Sequence, residues 1–217
     1  MLAIATGFVV LAFAALAKTT GGPTPFEAAA SGGVPSAQGA GAGAICVLQP
    51  TARSSVSGVA EWIPTAGGLV FRVRATGAKP NGAFGIHVHE FGDISNKTGG
   101  AAGEHFNPTG EPHSCPDPQS IAITGGIHGG DLGNVESDRD GVIDVAKSLF
   151  QLHSIQSVEK QDVGFIIGRS LILHSKQDDC RSQPSGNSGE RVAQCVIGYR
   201  NPRTKSREAD VPQCHFR

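Results

Sequence analysis

The chain contains one Met, one Trp and one Tyr, and only 17% of its residues are charged. So few stacking aromatics leave no platform for unpaired bases. A formal net charge of -1 gives no global pull toward nucleic acid or an anionic membrane. Low charge combined with 30 glycines and 13 prolines implies many turns and little long helix, which favours an all-β chain. The length, 217 residues, suits one domain with a sizeable core. One apolar run, MLAIATGFVVLAFAALA at residues 1–17, is short for a bilayer span and ends in the small-x-small triplet Ala15-Leu16-Ala17. It predicts a signal peptide cut after Ala17, hence a secreted, extracellular protein without a membrane span. In that compartment the five cysteines are disulfide candidates, and their odd number leaves one over.

Residues 18–43 are Gly, Ala, Ser, Thr and Pro with almost no large apolar side chain, so they read as a flexible linker. Eight strand patterns follow from Ala44: AICVLQ, SVSGVAEWI, GLVFRVRA, AFGIHVHEF, LGNVES, VIDVAKS, SLILH and RVAQCVIGY. The second alternates unevenly, which predicts a bulge near Gly58. Asp138-Arg139-Asp140-Gly141 reads as the turn of a hairpin joining LGNVES to VIDVAKS. Two long irregular stretches, about 91 to 130 and 175 to 190, have the length of functional loops. Residues 200–217 form a mildly basic tail, read as solvated.

The histidines carry the chemistry. His87 and His89 stand two apart in a strand pattern, so both rings project from one face. Two neutral core histidines that close would each need a separate buried partner. A shared ion accounts for them better, and imidazole suits copper, zinc, iron or nickel. His105, His113, His128 and His174, with Asp131, gather in the long loops and at strand ends. A site of three or four ring nitrogens suits a redox-active copper. A neighbouring site of histidines plus a carboxylate suits zinc. His153 and His215 stand outside this pattern and read as surface residues.

The motifs GIHVHEFGD, GEHFNP, IHGGDLGNVESDRDGV, GRSLILH and GNSGERVA, with VIG after them, occur in that order. Over about Ala44 to Tyr199 they resemble the copper/zinc superoxide dismutase family. The resemblance implies an eight-stranded Greek-key β-barrel, an immunoglobulin-like sandwich with two long functional loops. It assigns His87, His89, His105 and His174 to copper, and His105, His113, His128 and Asp131 to zinc, with His105 as the shared imidazolate. It makes Asp178 the carboxylate linking His87 to His113, and Arg191 the cation beside the open copper position. It also implies a homodimer, with Phe91, Gly92, Ile167, Gly168 and Ile197 near the interface. Asn96-Lys97-Thr98 is a glycosylation sequon in the same region.

The chain departs from the family pattern at its cysteines. The positions of the family's disulfide hold Gly99 and Gln194 here. Cys46 matches a buried family cysteine, which makes it the expected free thiol. Cys115, Cys180, Cys195 and Cys214 then allow three pairings. With Asp178 placed by the resemblance beside His113, Cys115 and Cys180 each stand two residues beyond that contact. The expected bonds are therefore Cys115–Cys180 and, from what remains, Cys195–Cys214. The zinc loop is longer than the family's, and the loop from His174 to Arg191 is shorter and lacks its charged segment. That leaves Lys176, Arg181 and Arg191 to steer the anion.

The expected activity is dismutation of superoxide to O2 and hydrogen peroxide. One alternative is a non-enzymatic extracellular relative that binds or delivers copper and zinc, which has no need of a substrate arginine. Another is a zinc hydrolase using His87 and His89. It would want a carboxylate base, and Glu90 points away from the face those histidines share.

Overall fold

The computed structural model describes residues 43–65, 68–116, 126–149, 156–160 and 162–203. The expected signal peptide and linker, His153, Cys214, His215 and most of the tail lie outside the described residues. Nine strands run in chain order: β1 Ala44–Pro50, β2 Ser57–Thr65, β3 Gly68–Thr76, β4 Ala83–His89, β5 Asp131–Glu136, β6 Ile143–Ser148, β7 Ser170–His174, β8 Arg191–Val196 and β9 Gly198–Tyr199. The last sequence pattern splits at Ile197, and the short β9 pairs with β1. A single 3-10 turn at Gly100–Ala102 is the one helical element among the described residues.

The strands pair in the order β5-β4-β7-β8-β1-β2-β3-β6 to give a nearly closed antiparallel barrel. The all-β expectation and the eight-stranded barrel both hold. Alternation explains the closure. In β1 the residues Ala44, Cys46 and Leu48 face inward and are buried, and β3 turns Phe71, Val73 and Ala75 the same way. They meet Trp62, Ile86, Leu132, Leu171, Leu173 and Ile197 in one core. Full burial of a side chain such as Leu171 stabilises the fold by about 1.5–3 kcal/mol.

Three sequence expectations are corrected. First, β2 has no bulge: its register with β3 is unbroken from Ser57 to Thr65. Gly58 is there for close approach, since a Cβ on it would lie 2.1 Å from the Arg74 carbonyl oxygen. Second, the chain does reverse at Asp138, where Asp138 N donates to the Val142 carbonyl and Gly141 N to that of Asp138. The flanking strands do not form a ladder, however. β5 pairs with β4 and β6 with β3, on either side of the barrel seam. Lys147 of β6 crosses that seam and donates to the carbonyls of Leu132 and Asn134 on the edge of β5. Burial lowers its pKa to about 8, although Asp178 opposes the shift.

Third, the cysteines pair differently from part of the expectation. Cys115 and Cys180 are bonded as expected. Cys46 is not free. It is bonded to Cys195, so the expected Cys195–Cys214 bond is excluded. β1 and β8 are neighbours, with Gln49 opposite Gln194 and Pro50 opposite Ala193. Alternation from that register turns both Cys46 and Cys195 into the barrel, where they are buried.

Candidate metal centre

Real bulges occur beside the histidines. Between Gly85 and His87 the partner β5 carries one residue more than β4, and opposite Leu173 and His174 the strand β8 carries one more than β7. Such insertions re-aim side chains at the end of a ladder. His87 and His89 leave β4 on the same face, as period two requires. His87 lies opposite Ile172 of the adjacent β7, which ends at His174. His105 is brought to them by a short antiparallel run outside the strands. Phe106 N donates to the Val88 carbonyl and Glu90 N to that of Glu104, setting His105 against His89.

One ring nitrogen each from His87, His89, His105 and His174 fall within 4.8 Å of one another. The same holds for His105, His113, His128 and Asp131, so His105 belongs to both groups. All seven residues are buried. Each ring has one nitrogen fixed or left over in a consistent way. His87 Nε2 meets Asp178 Oδ2 at 2.8 Å, and its Nδ1 has no partner. His89 Nδ1 donates to the Gly103 carbonyl at 2.9 Å, and His174 Nδ1 faces that of Gly189 at 3.4 Å. Their Nε2 atoms then face each other at 3.4 Å. His105 Nδ1 meets Asp131 Oδ1 at 2.9 Å while its Nε2 is buried and unpartnered. His128 Nδ1 and His113 Nδ1 are likewise buried without a hydrogen bond, although both lie near the Asp131 carboxylate. Orphaned ring nitrogens converging in pairs of sets are costly in an empty core and natural as metal donors.

Asp178 ties the two groups together. Its Oδ2 takes His87 and its Oδ1 takes His113 at 3.0 Å. The Cys180 amide donates to Oδ1 as well. Burial works against this charge, but the His113 and His87 hydrogen bonds outweigh it and hold the carboxyl well below the usual carboxylate range. Asp131 is held low in the same way. Burial also opposes charge on His113, yet Asp131 and Asp178 together lift it to about 9. His87 is lowered to about 4, and His89 and His174 are pushed well below the ordinary range, in each case by burial first.

Two positions that sequence reasoning missed hold this arrangement in place. Asn134 Nδ2 donates to the Asp178 carbonyl at 2.9 Å and its Oδ1 accepts the Asp178 amide at 2.7 Å. Gln183 grips His113 in the same fashion, donating to its carbonyl at 2.9 Å and accepting its amide at 2.8 Å. Asn134 had a signal, since it stands three residues after Asp131 in the motif DLGN; Gln183 had none. Gly186 lets the loop pass directly over the pair: a Cβ there would lie 1.9 Å from Asp178 Oδ1 and 2.6 Å from His113 Nε2.

Arg191 stands at the start of β8, opposite His174, and is half-buried. Its Nη1 donates to the Gly99 carbonyl and its Nη2 to the Gly103 carbonyl, each at 2.6 Å. Gly103 therefore holds both Arg191 and His89. Glu90 is exposed and accepts the Glu104 amide, away from the histidine face. Lys176 and Arg181 are exposed. Of the expected interface residues, Phe91 is exposed while Ile197 is buried in the core.

The family model for copper/zinc superoxide dismutase matches residues 56–197. The chain belongs to that family. Among superoxide dismutase relatives, the Cu-Zn superoxide dismutase 2 of Aquifex aeolicus is 35% identical over 67% of this chain and 81% of its own. The Cu-Zn enzyme of Saccharomyces cerevisiae is 38% identical over 58% of this chain and 77% of its own. A copper chaperone for superoxide dismutase from Homo sapiens is 36% identical, over 56% of this chain and 43% of its own. The crystal structure of a double mutant of a SOD-like protein from Bacillus subtilis superposes with a TM-score of 0.59 at 29% identity. It covers 70% of this chain and 95% of its own.

Proposed function

We propose that the protein dismutes superoxide, with copper held by His87, His89, His105 and His174 and zinc by His105, His113, His128 and Asp131. The observation that carries this reading is the pair of buried donor sets meeting at His105, with unpartnered ring nitrogens, beside a half-buried arginine. Copper bound there would supply one-electron redox chemistry, and zinc a fixed charge on the far side of His105.

The chain does the rest. The Arg191 guanidinium, anchored by two carbonyls, presents its outer edge to a small anion and stays charged at any useful pH. His105, common to both donor sets, would hold a proton for the product at its otherwise unpartnered Nε2, while Asp131 keeps the ring in place through Nδ1. Two superoxide anions and two protons leave as O2 and H2O2. Asp178 keeps His87 and His113 in fixed tautomers, so their other nitrogens face the ions.

Binding or delivery of metal without turnover is the second reading, favoured by the chaperone relative. Arg191 argues against it, because cargo transfer has no use for an anion-holding guanidinium. Metal analysis joined to an activity assay on purified protein decides the matter. One copper and one zinc per chain with dismutation supports the proposal. Full metal without dismutation leaves only the binding reading, and zinc alone removes the copper assignment of His87, His89 and His174. Export through cleavage after Ala17 is part of the same proposal, tested by sequencing the mature N-terminus from culture medium. Light scattering of the purified chain, with and without substitution of Phe91, tests the expected homodimer.

A further inference from the structure

Gln194 lies three residues beyond Arg191 in β8 and is buried, with a relative exposure of 5%. A glutamine so placed needs partners for its amide, and since its Oε1 is buried without one, its hold is through Nε2 alone. From the outer face of β8 its Nε2 reaches the carbonyls of Asn96 at 3.1 Å and Ile94 at 3.4 Å, about a hundred residues away in sequence. The extra residue of β8 between Arg191 and Ala193 lets positions 191 and 194 address the same loop despite their odd spacing.

That loop is otherwise lightly attached along this stretch. Gly99 N donates to the Asn96 carbonyl, Thr98 N and Oγ1 bond back to Asn96 Oδ1, and Ala52 N reaches the Lys97 carbonyl. The first three are internal to the turn. The Gln194 amide therefore supplies two of the links from the turn to the barrel, and it grips the same Asn96 carbonyl that closes the turn on Gly99. Gly99 is the residue whose carbonyl receives Arg191 Nη1. A Cβ at Gly99 would stand 3.1 Å from the Arg191 side chain and 3.6 Å from Gln194 Oε1, so both side chains lie close to Gly99.

The geometry points to Gln194 as a positioning residue: its buried amide holds the 94–99 turn against β8 so that the Gly99 carbonyl fixes the Arg191 guanidinium toward the anion site. This rests on the dismutase reading for its consequence, though the clamp itself does not depend on any metal. Gln194 touches neither substrate nor donor set, and it acts through the turn.

The test uses the full chain with copper and zinc loaded, and azide as the anion. Azide is titrated against the visible and electron-spin spectra of the copper. Gln194→Leu keeps the size of the side chain and removes its donor, and Gln194→Glu serves if the first variant folds poorly. The expected result is azide binding weakened roughly five- to tenfold, as for losing one or two buried hydrogen bonds. The copper spectrum before azide should match that of the unaltered protein. In the metal-free chain, hydrogen exchange at the Gly99 and Ala102 amides should speed up by a similar factor. Azide affinity within twofold of the parent in both variants, or unaltered exchange at those amides, overturns the assignment. So does a copper spectrum already changed without azide, which would place the effect in the donor set. An unaltered protein that binds no copper defeats the dismutase reading instead, and leaves the exchange measurement to judge the clamp.

Discussion

The two donor sets share His105 but rest on different supports. His87, His89 and His174 lie on β4 and β7, adjacent strands of one ladder, and burial pushes the pKa of all three rings below the ordinary histidine value. His105, His113 and His128 lie outside the strands. They are gathered around Asp131 and fastened by the Asp178 carboxylate, the Asn134 and Gln183 amides and the Cys115–Cys180 bond. The strand-borne set is thus fixed by the barrel itself, and the three loop histidines by Asp131 at the start of β5 and by attachments added to irregular chain. A region without a ladder needs specific pins, because it has no cooperative array of hydrogen bonds to set its geometry.

The largest way to break this contrast is to cut the covalent pin. Replacing Cys115 and Cys180 together by Ala should cost about 2–4 kcal/mol of stability in chemical denaturation. It should weaken zinc binding while copper binding to the variant changes by less than about twofold. Equal losses at both sites would mean that the two supports are one unit. Asp178→Asn sharpens the comparison from the other side, because that carboxylate serves His87 and His113 alike. Affinity for each metal should fall by roughly 10–100-fold, read by chelator competition.

Acid should act through the strand-borne set. In the metal-free protein His87, His89 and His174 are held neutral below their ordinary pKa. The unfolded chain binds protons from about pH 6.5 downward while the folded one does not, so stability falls as pH drops from there to about 4, the value for His87. His113 has the opposite sign: raised to about 9, its contribution is fully present below 6.5 and lost only as pH rises through 9. The melting temperature of metal-free protein should therefore drop by at least about 5 °C between pH 7 and 4.5. Loaded metal should abolish most of that drop. The smallest expected effect is at the seam: Lys147→Met should cost about 1 kcal/mol, since it leaves the Leu132 and Asn134 carbonyls without their donor.

The contrast also explains what could be read from sequence. The strand-borne half was legible because period two in GIHVHEF puts His87 and His89 on one face, and SLILH ends a strand on His174. The loop-borne half was legible only as residue types, and the family resemblance supplied its grouping. The Cys46–Cys195 bond was missed for a physical reason. Each cysteine faces inward by local alternation, but the adjacency of β1 and β8 joins residues 149 apart, and nothing local announces it. The bulge expected at Gly58 failed because a glycine can signal close backbone approach as readily as an irregular ladder. The bulges at β5 and β8 left no comparable mark, since an extra residue in a strand changes only the parity of the positions beyond it.

The two disulfides are nested, with the Cys115–Cys180 ring lying wholly inside the Cys46–Cys195 ring. Every residue proposed to hold a metal, and Arg191 with them, falls between Cys46 and Cys195 in the chain. Tension applied to the two ends of the protein would run through the Cys46–Cys195 sulfurs and bypass the barrel. Only the stretches outside that pair can be drawn out, so the site is mechanically shielded for as long as that one bond stays oxidised.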